Sequence, residues 1–159
     1  MGDLSETNHV PYARPRMDTG HLRELRLRKG MSQHALSFKV GVQGAAAISA
    51  WERGVATPRP STLLRVAEVL GVDPIELLAV DGREGGTLRE LRVVRGMTLR
   101  ELADIASTSS STLRRWESGD FVRVPGADVV RALARALDVD PAQVEAALMR
   151  ARSATGERP

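Results

Sequence analysis

The segment HLRELRLRKGMS at residues 21–32 returns as TLRELRVVRGMT at 87–98, an offset of 66. SAWERG at 49–54 returns as RRWESG at 114–119, an offset of 65, and LLRVAEVLGVDPIEL at 63–77 returns as VRALARALDVDPAQV at 130–144, an offset of 67. Drifts of one or two residues are what insertions in loops produce, because loops accept length changes that helices do not. A chain of 159 residues therefore folds as two copies of one unit of about 60 residues.

Each copy is punctuated as five short helices. Leu22 and Leu25, matched by Leu88 and Leu91, lie on one face of a first helix, which stops at Gly30 or Gly96, where glycine suits the left-handed cap. Ser32 starts a second helix as its N-cap, and Thr98 with Glu101 forms a capping box. The third helix carries the tryptophan and ends at Gly54 or Gly119. The fourth has the buried-stripe spacing Leu63, Val66, Ala67, Leu70, matched by Val130, Leu133, Ala134, Leu137. The fifth is announced by VDPIE and VDPAQ: Asp73 or Asp140 caps, Pro74 or Pro141 takes the first helical position, and Glu76 or Gln143 closes the box.

Composition agrees with an all-α chain. Aromatic residues are only 3%, so the cores are built from aliphatic side chains and methionine. There are no cysteines and three scattered histidines, His9, His21 and His34, which excludes disulfides and predicts no metal site. Charges interrupt every apolar run before membrane-spanning length, and MGDLSETNHV has no signal-peptide core, so the expectation is a soluble, cytoplasmic protein. Net charge is +3, a weak argument by itself for a polyanionic partner. The predicted boundaries are an N-terminal tail at 1–18, domains at 19–80 and 87–150, a glycine-rich linker at 81–86, and a second tail at 151–159.

Too few residues separate the second and third helices for an antiparallel hairpin, so the two cross steeply as a helix-turn-helix. The succession L-R-x-x-R/K-G-M-S/T, a short turn, [IL]-x-x-W-E-x-G and A-x-x-L-x-V-D-P resembles the phage Cro and lambda-repressor family, the XRE-type helix-turn-helix, over residues 20–80 and again over 86–150. The resemblance implies two tandem five-helix lambda-repressor-like domains that bind double-stranded DNA. It gives the third helix the reading role, placing Ser110, Ser111 and Arg115 of the second copy at base edges. Arginine can engage guanine through two hydrogen bonds, whereas serine is permissive. Arg114 is assigned to a phosphate, and the start of the second helix and the loop after the third add backbone contacts. Those are Gln33, Arg53, Thr57 and Arg59 in the first copy, and Arg100, Ser118 and Arg123 in the second.

The first copy departs from this pattern. Ser32 to Trp51 spans 19 positions and Thr98 to Trp116 spans 18, so one residue is inserted, placed within GVQGAAA at 41–47. Its reading positions become Ala45, Ala46 and Ala50, with Gln43 and Ser49 as the nearby polar groups. Alanine can touch a thymine methyl but makes no bidentate hydrogen bond. The expectation is that copy one mainly grips the backbone while copy two discriminates sequence.

Blander roles compete for the same residues. Trp51 and Trp116 could stack on single-stranded bases, but their spacing from Ile48 and Leu113 turns them inward, to the core. Glu52 and Glu117 are better explained as structural salt bridges to Arg26 and Arg92, as the family resemblance implies, than as catalytic carboxylates. The run STSSST at 107–112 has no histidine in its copy to act as base, and the linker glycines precede no lysine. No catalytic set can be assembled and no cofactor or small-molecule ligand is implied. The expected function is a transcriptional regulator, a repressor acting at the nucleoid. Its rival is a protein-interaction module such as an antitoxin or anti-repressor, using the alanine face of copy one. DGREGGT (81–87), fully extended, spans about 24 Å, which leaves direct and inverted half-sites, and a homodimer with four reading heads, all open.

Overall fold

A computed structural model describes residues 16–79 and 86–156. The first copy contains α1 (Thr19–Arg28), α2 (Gln33–Val40), α3 (Gly44–Glu52), α4 (Pro60–Leu70) and a single 3-10 turn, Pro74–Leu77. The second contains α5 (Leu88–Val94), α6 (Leu99–Ile105), α7 (Ser110–Ser118), α8 (Ala127–Leu137) and α9 (Pro141–Gly156). The fold is all-α; the one extended pairing among the described residues is an isolated antiparallel bridge between Met17 and Leu78.

The helix boundaries follow the caps read from the sequence. Ser32 accepts from the Ala35 N–H, and Thr98 with Glu101 forms a capping box. After α1 and α5 the chain turns through left-handed Gly30 and Gly96, and Met31 and Met97 donate back to the carbonyls of Arg26 and Arg92. Each copy buries its own aliphatic core. The first gathers Leu22, Leu36, Ile48, Leu63 and Leu70; the second gathers Leu88, Leu102, Leu113, Leu133 and Leu148.

Two expected boundaries need correction. The expected fifth element of copy one is present as a short 3-10 helix, Pro74–Leu77. Asp73 and Glu76 close the predicted box, but the chain then turns extended at Leu78 to pair with Met17. Residues 16–18 accordingly belong to the first domain and not to the tail. Met17 is buried, Asp18 donates to Leu77 and Ala79 donates to Arg16, and the Asp18 carboxylate caps α1 through the His21 N–H. At the other end, α9 runs through buried Ala151 to Gly156, which removes residues 151–156 from the expected second tail. Val144, Ala147, Leu148 and Ala151 make one continuous buried stripe. The rest of the 1–18 tail and residues 157–159 lie outside the described residues, as does the linker from 81 to 85. Gly86, its last residue, is buried, and its carbonyl accepts from Arg150 Nε at 3.1 Å and Nη2 at 2.6 Å.

The two domains touch. Val93 on α5 is buried in the core cluster of the first domain, and Val94 packs against that cluster. The partner surface is α4 and the 3-10 turn.

Candidate nucleic-acid interface

The third helices of the two copies, α3 and α7, stand on matched frames. In α7, Leu113 and Glu117 are buried and Trp116 packs half-buried against the second core. In α3, Ile48 and Trp51 are buried. Both tryptophans therefore serve their own domain's core.

Glu52 and Glu117 tie these helices to the first helix of each copy. Arg26 Nε and Nη2 donate to the two Glu52 oxygens at 2.6 and 3.1 Å; Arg92 meets Glu117 at the same two distances. The remaining guanidinium nitrogen donates to the carbonyl of Met31 or Met97. One arginine thus fixes the third helix and the turn before the second helix together, by the bidentate geometry that its fork favours. Burial pushes the Glu52 carboxyl up, but the hydrogen bonds from Arg26 and Gln33 and the Arg26 charge outweigh it, holding the pKa below the ordinary carboxylate value. The hydrogen bond to Glu52 raises the Arg26 pKa, against an opposing effect of burial.

Two members of these networks escaped the sequence reading. The Gln33 amide donates to Glu52 at 2.9 Å, so a residue expected on the DNA backbone serves the ion pair in this structure. In copy two Leu99 occupies that place, and Arg89 reaches Glu117 at 3.4 Å instead. The signal was available in the heptapeptide LRELRxx of each copy, where a second arginine precedes the paired one by three positions, one helical turn.

The inserted residue of copy one sits at the entry to α3. After α2 and α6 the turn is the same in both copies: left-handed Gly41 and Ser107, with Val42 and Thr108 donating to the carbonyls of Ser37 and Ala103. The extra residue is absorbed at Gly44, which opens α3 with φ of +75°. From there the offset is 65, so Ala45, Ala46 and Ala50 stand where copy two has Ser110, Ser111 and Arg115. Ser109 caps α7 by accepting from Thr112, whereas α3 has no side-chain cap from Gln43.

The nominated residues differ in exposure. Ser111, Arg114 and Arg115 are exposed, with Ser110 half-buried beside them. Ala46 and Gln43 are exposed, while Ala45, Ser49 and Ala50 are half-buried. Arg115 does not extend freely: its Nε donates to the Asp120 carbonyl at 3.0 Å and lies 3.6 Å from the Asp120 carboxylate. Arg53 similarly folds back on the Ser49 carbonyl, and Ser118 donates to the Arg115 carbonyl. Arg100 is exposed beside Asp104 at 3.8 Å, and Arg123 is exposed on the loop before α8. Thr57 and Arg59 of copy one and Arg114 of copy two line a single groove at the domain junction, together with Thr98 and Leu99 at the start of α6.

A helix-turn-helix family model matches residues 22–77 and a second helix-turn-helix domain model matches residues 85–147. The chain belongs to the XRE-type helix-turn-helix family, in two tandem copies. The matches make the tandem protein a DNA-binding regulator of transcription in general terms. No curated protein and no solved structure matches the chain. Among the described residues no helix is long and apolar enough to cross a membrane.

Proposed function

We propose that the tandem protein is a sequence-specific repressor that lays both domains on one DNA duplex, with the second domain reading sequence and the first gripping the backbone. The observation that carries this reading is the contrast between the outer faces of α7 and α3. Ser111 and Arg115 present hydrogen-bonding groups on α7, while Ala46 and Ala50 hold the corresponding places on α3. Arg115 needs only to exchange the exposed Asp120 carbonyl for a guanine edge, which costs little in water-accessible surroundings. Arg59 and Arg114, brought to one groove from different domains, supply cationic contacts for a backbone that crosses the junction.

Selection of bound sequences from random duplex DNA, with the intact chain and its Arg115→Ala and Ala46→Ser variants, tests the division of labour. Arg115→Ala should erase preference at one or two base pairs, and Ala46→Ser should leave the selected site almost unchanged. Intact selectivity in Arg115→Ala, with loss in Ala46→Ser, overturns it.

A further inference from the structure

The contact between the domains joins different faces of the repeated unit. Copy two contributes its first helix, α5, and copy one contributes its fourth helix, α4, with the 3-10 turn. The counterparts of these surfaces on the other copy are open. Leu27 holds in α1 the place that Val93 holds in α5, yet Leu27 is 56% exposed and Val93 is 8% exposed. Gly30 has open space around its α-carbon, whereas a β-carbon on Gly96 would meet Leu64 Cδ1 at 2.5 Å. On α8 the places of Ser61 and Leu64 are taken by Asp128 and Arg131, exposed and paired with each other. A contact in which residue i of one unit meets residue j of the other, without the reciprocal meeting, is heterologous and has no two-fold axis.

From this we infer that the two reading heads are set head to tail, so that they engage two half-sites of the same polarity along the duplex rather than an inverted repeat. An inverted repeat has a two-fold axis between its halves, and the protein side must carry the same axis to place equivalent helices in both. The contact of α4 with α5 carries none. Both DNA-facing surfaces meet at the junction, because the loop after α3 and the start of α6 with Arg114 line one groove. A single run of backbone can therefore pass from one head to the next. The charged pair at Asp128 and Arg131 gives the open end of the contact no apolar face, so the head-to-tail order stops at two units. The inference rests on both domains binding one duplex.

The chain has no cysteine, so single cysteines can carry a tethered iron chelate that cuts nearby DNA. Two labels per head report polarity: Phe38→Cys and Val55→Cys in copy one, Asp104→Cys and Val122→Cys in copy two, all at exposed positions. Lys39→Cys, also exposed, replaces Phe38→Cys if that substitution unfolds the domain. On a site selected with the full chain, moving the label from the end of α2 to the loop after α3 should shift cleavage in one direction along the duplex. Moving it from the end of α6 to the loop after α7 should shift cleavage in the same direction, about 10 base pairs away. Opposite shifts overturn the inferred polarity and leave the DNA reading standing. Cutting from copy-two labels alone overturns the two-headed arrangement, and absence of any selected site overturns DNA binding itself.

Discussion

Arg92 Nε lies 2.6 Å from Glu117 Oε1, and the Glu117 side chain is 0% exposed to solvent. The pair connects α5 to α7 from inside the domain, so the position of Ser111 and Arg115 depends on a charge that water does not reach. Removing one partner leaves the other charged and buried, which costs about 3–5 kcal/mol. Glu117→Ala should lower the melting temperature of the second domain strongly, while Arg92→Met with Glu117→Leu should recover much of the loss. Thermal denaturation of the two variants checks both statements.

The Glu52 pair predicts an acid-dependent stability in the first domain. Its folded-state pKa is depressed, so the unfolded state binds the proton at higher pH than the folded state does. The contribution is fully present above the unfolded carboxylate value and is lost as pH falls toward the folded one. Urea unfolding followed by Trp51 fluorescence in a Trp116→Phe background isolates this domain. Glu52→Gln should be less stable at neutral pH and should show a shallower decline across the acid range.

Much of this architecture was legible because local chemistry and tertiary packing agree. Ser32, Thr98 and Asp73 cap where their side chains allow, and Trp51 and Leu113 face inward as helical spacing requires. Legibility stopped where one residue type has two uses. Gln33 is equally suited to a phosphate or to Glu52, and only the fold brings Glu52 to it. The exposed position of Arg115 on the third helix was legible from spacing, but its partner Asp120 depended on the course of the following loop. The domain contact left one trace in the sequence, Val93 and Val94 in place of Leu27 and Arg28. A second apolar position there signals a second packed face, which spacing within a single helix could not assign to a partner.

Backbone and base contacts separate by their response to salt. Arg59→Ala or Arg123→Ala should weaken binding to all duplexes alike, and should reduce the slope of log affinity against log salt by about 1 for each phosphate that no longer has its cation. Arg115→Ala should cost about 1–3 kcal/mol on the selected site and much less on unrelated DNA. Fluorescence anisotropy at stepped salt concentrations, on selected and scrambled duplexes, measures both.

Gly44 should resist a substitution that helix propensity favours. Alanine is the better helix former, but Gly44 adopts φ of +75° although nothing crowds its α-carbon. A β-carbon in that left-handed region costs about 1–2 kcal/mol, so Gly44→Ala should destabilise the first domain and disturb the entry to α3. Chemical denaturation of this variant should move the midpoint downward; an upward shift would mean that the extra residue is accommodated elsewhere in the turn.

Gly30 and Gly96 form a matched pair for measuring the domain contact. Their φ values are +63° and +71°, so replacement by alanine carries nearly the same backbone strain at both. They differ in surroundings: Gly30 faces open space, and Gly96 faces Leu64 across the junction. Any excess cost of Gly96→Ala over Gly30→Ala therefore reports the contact itself, and overpacking of this kind costs about 1–3 kcal/mol. Leu64 can yield by rotating its side chain, which places the expectation toward the lower end. Leu64→Ala creates room for the new methyl group, so combining it with Gly96→Ala should cost less than the sum of the two single changes. A double-mutant cycle by thermal denaturation measures that coupling, and additivity within error would show that the two domains do not hold one another in solution.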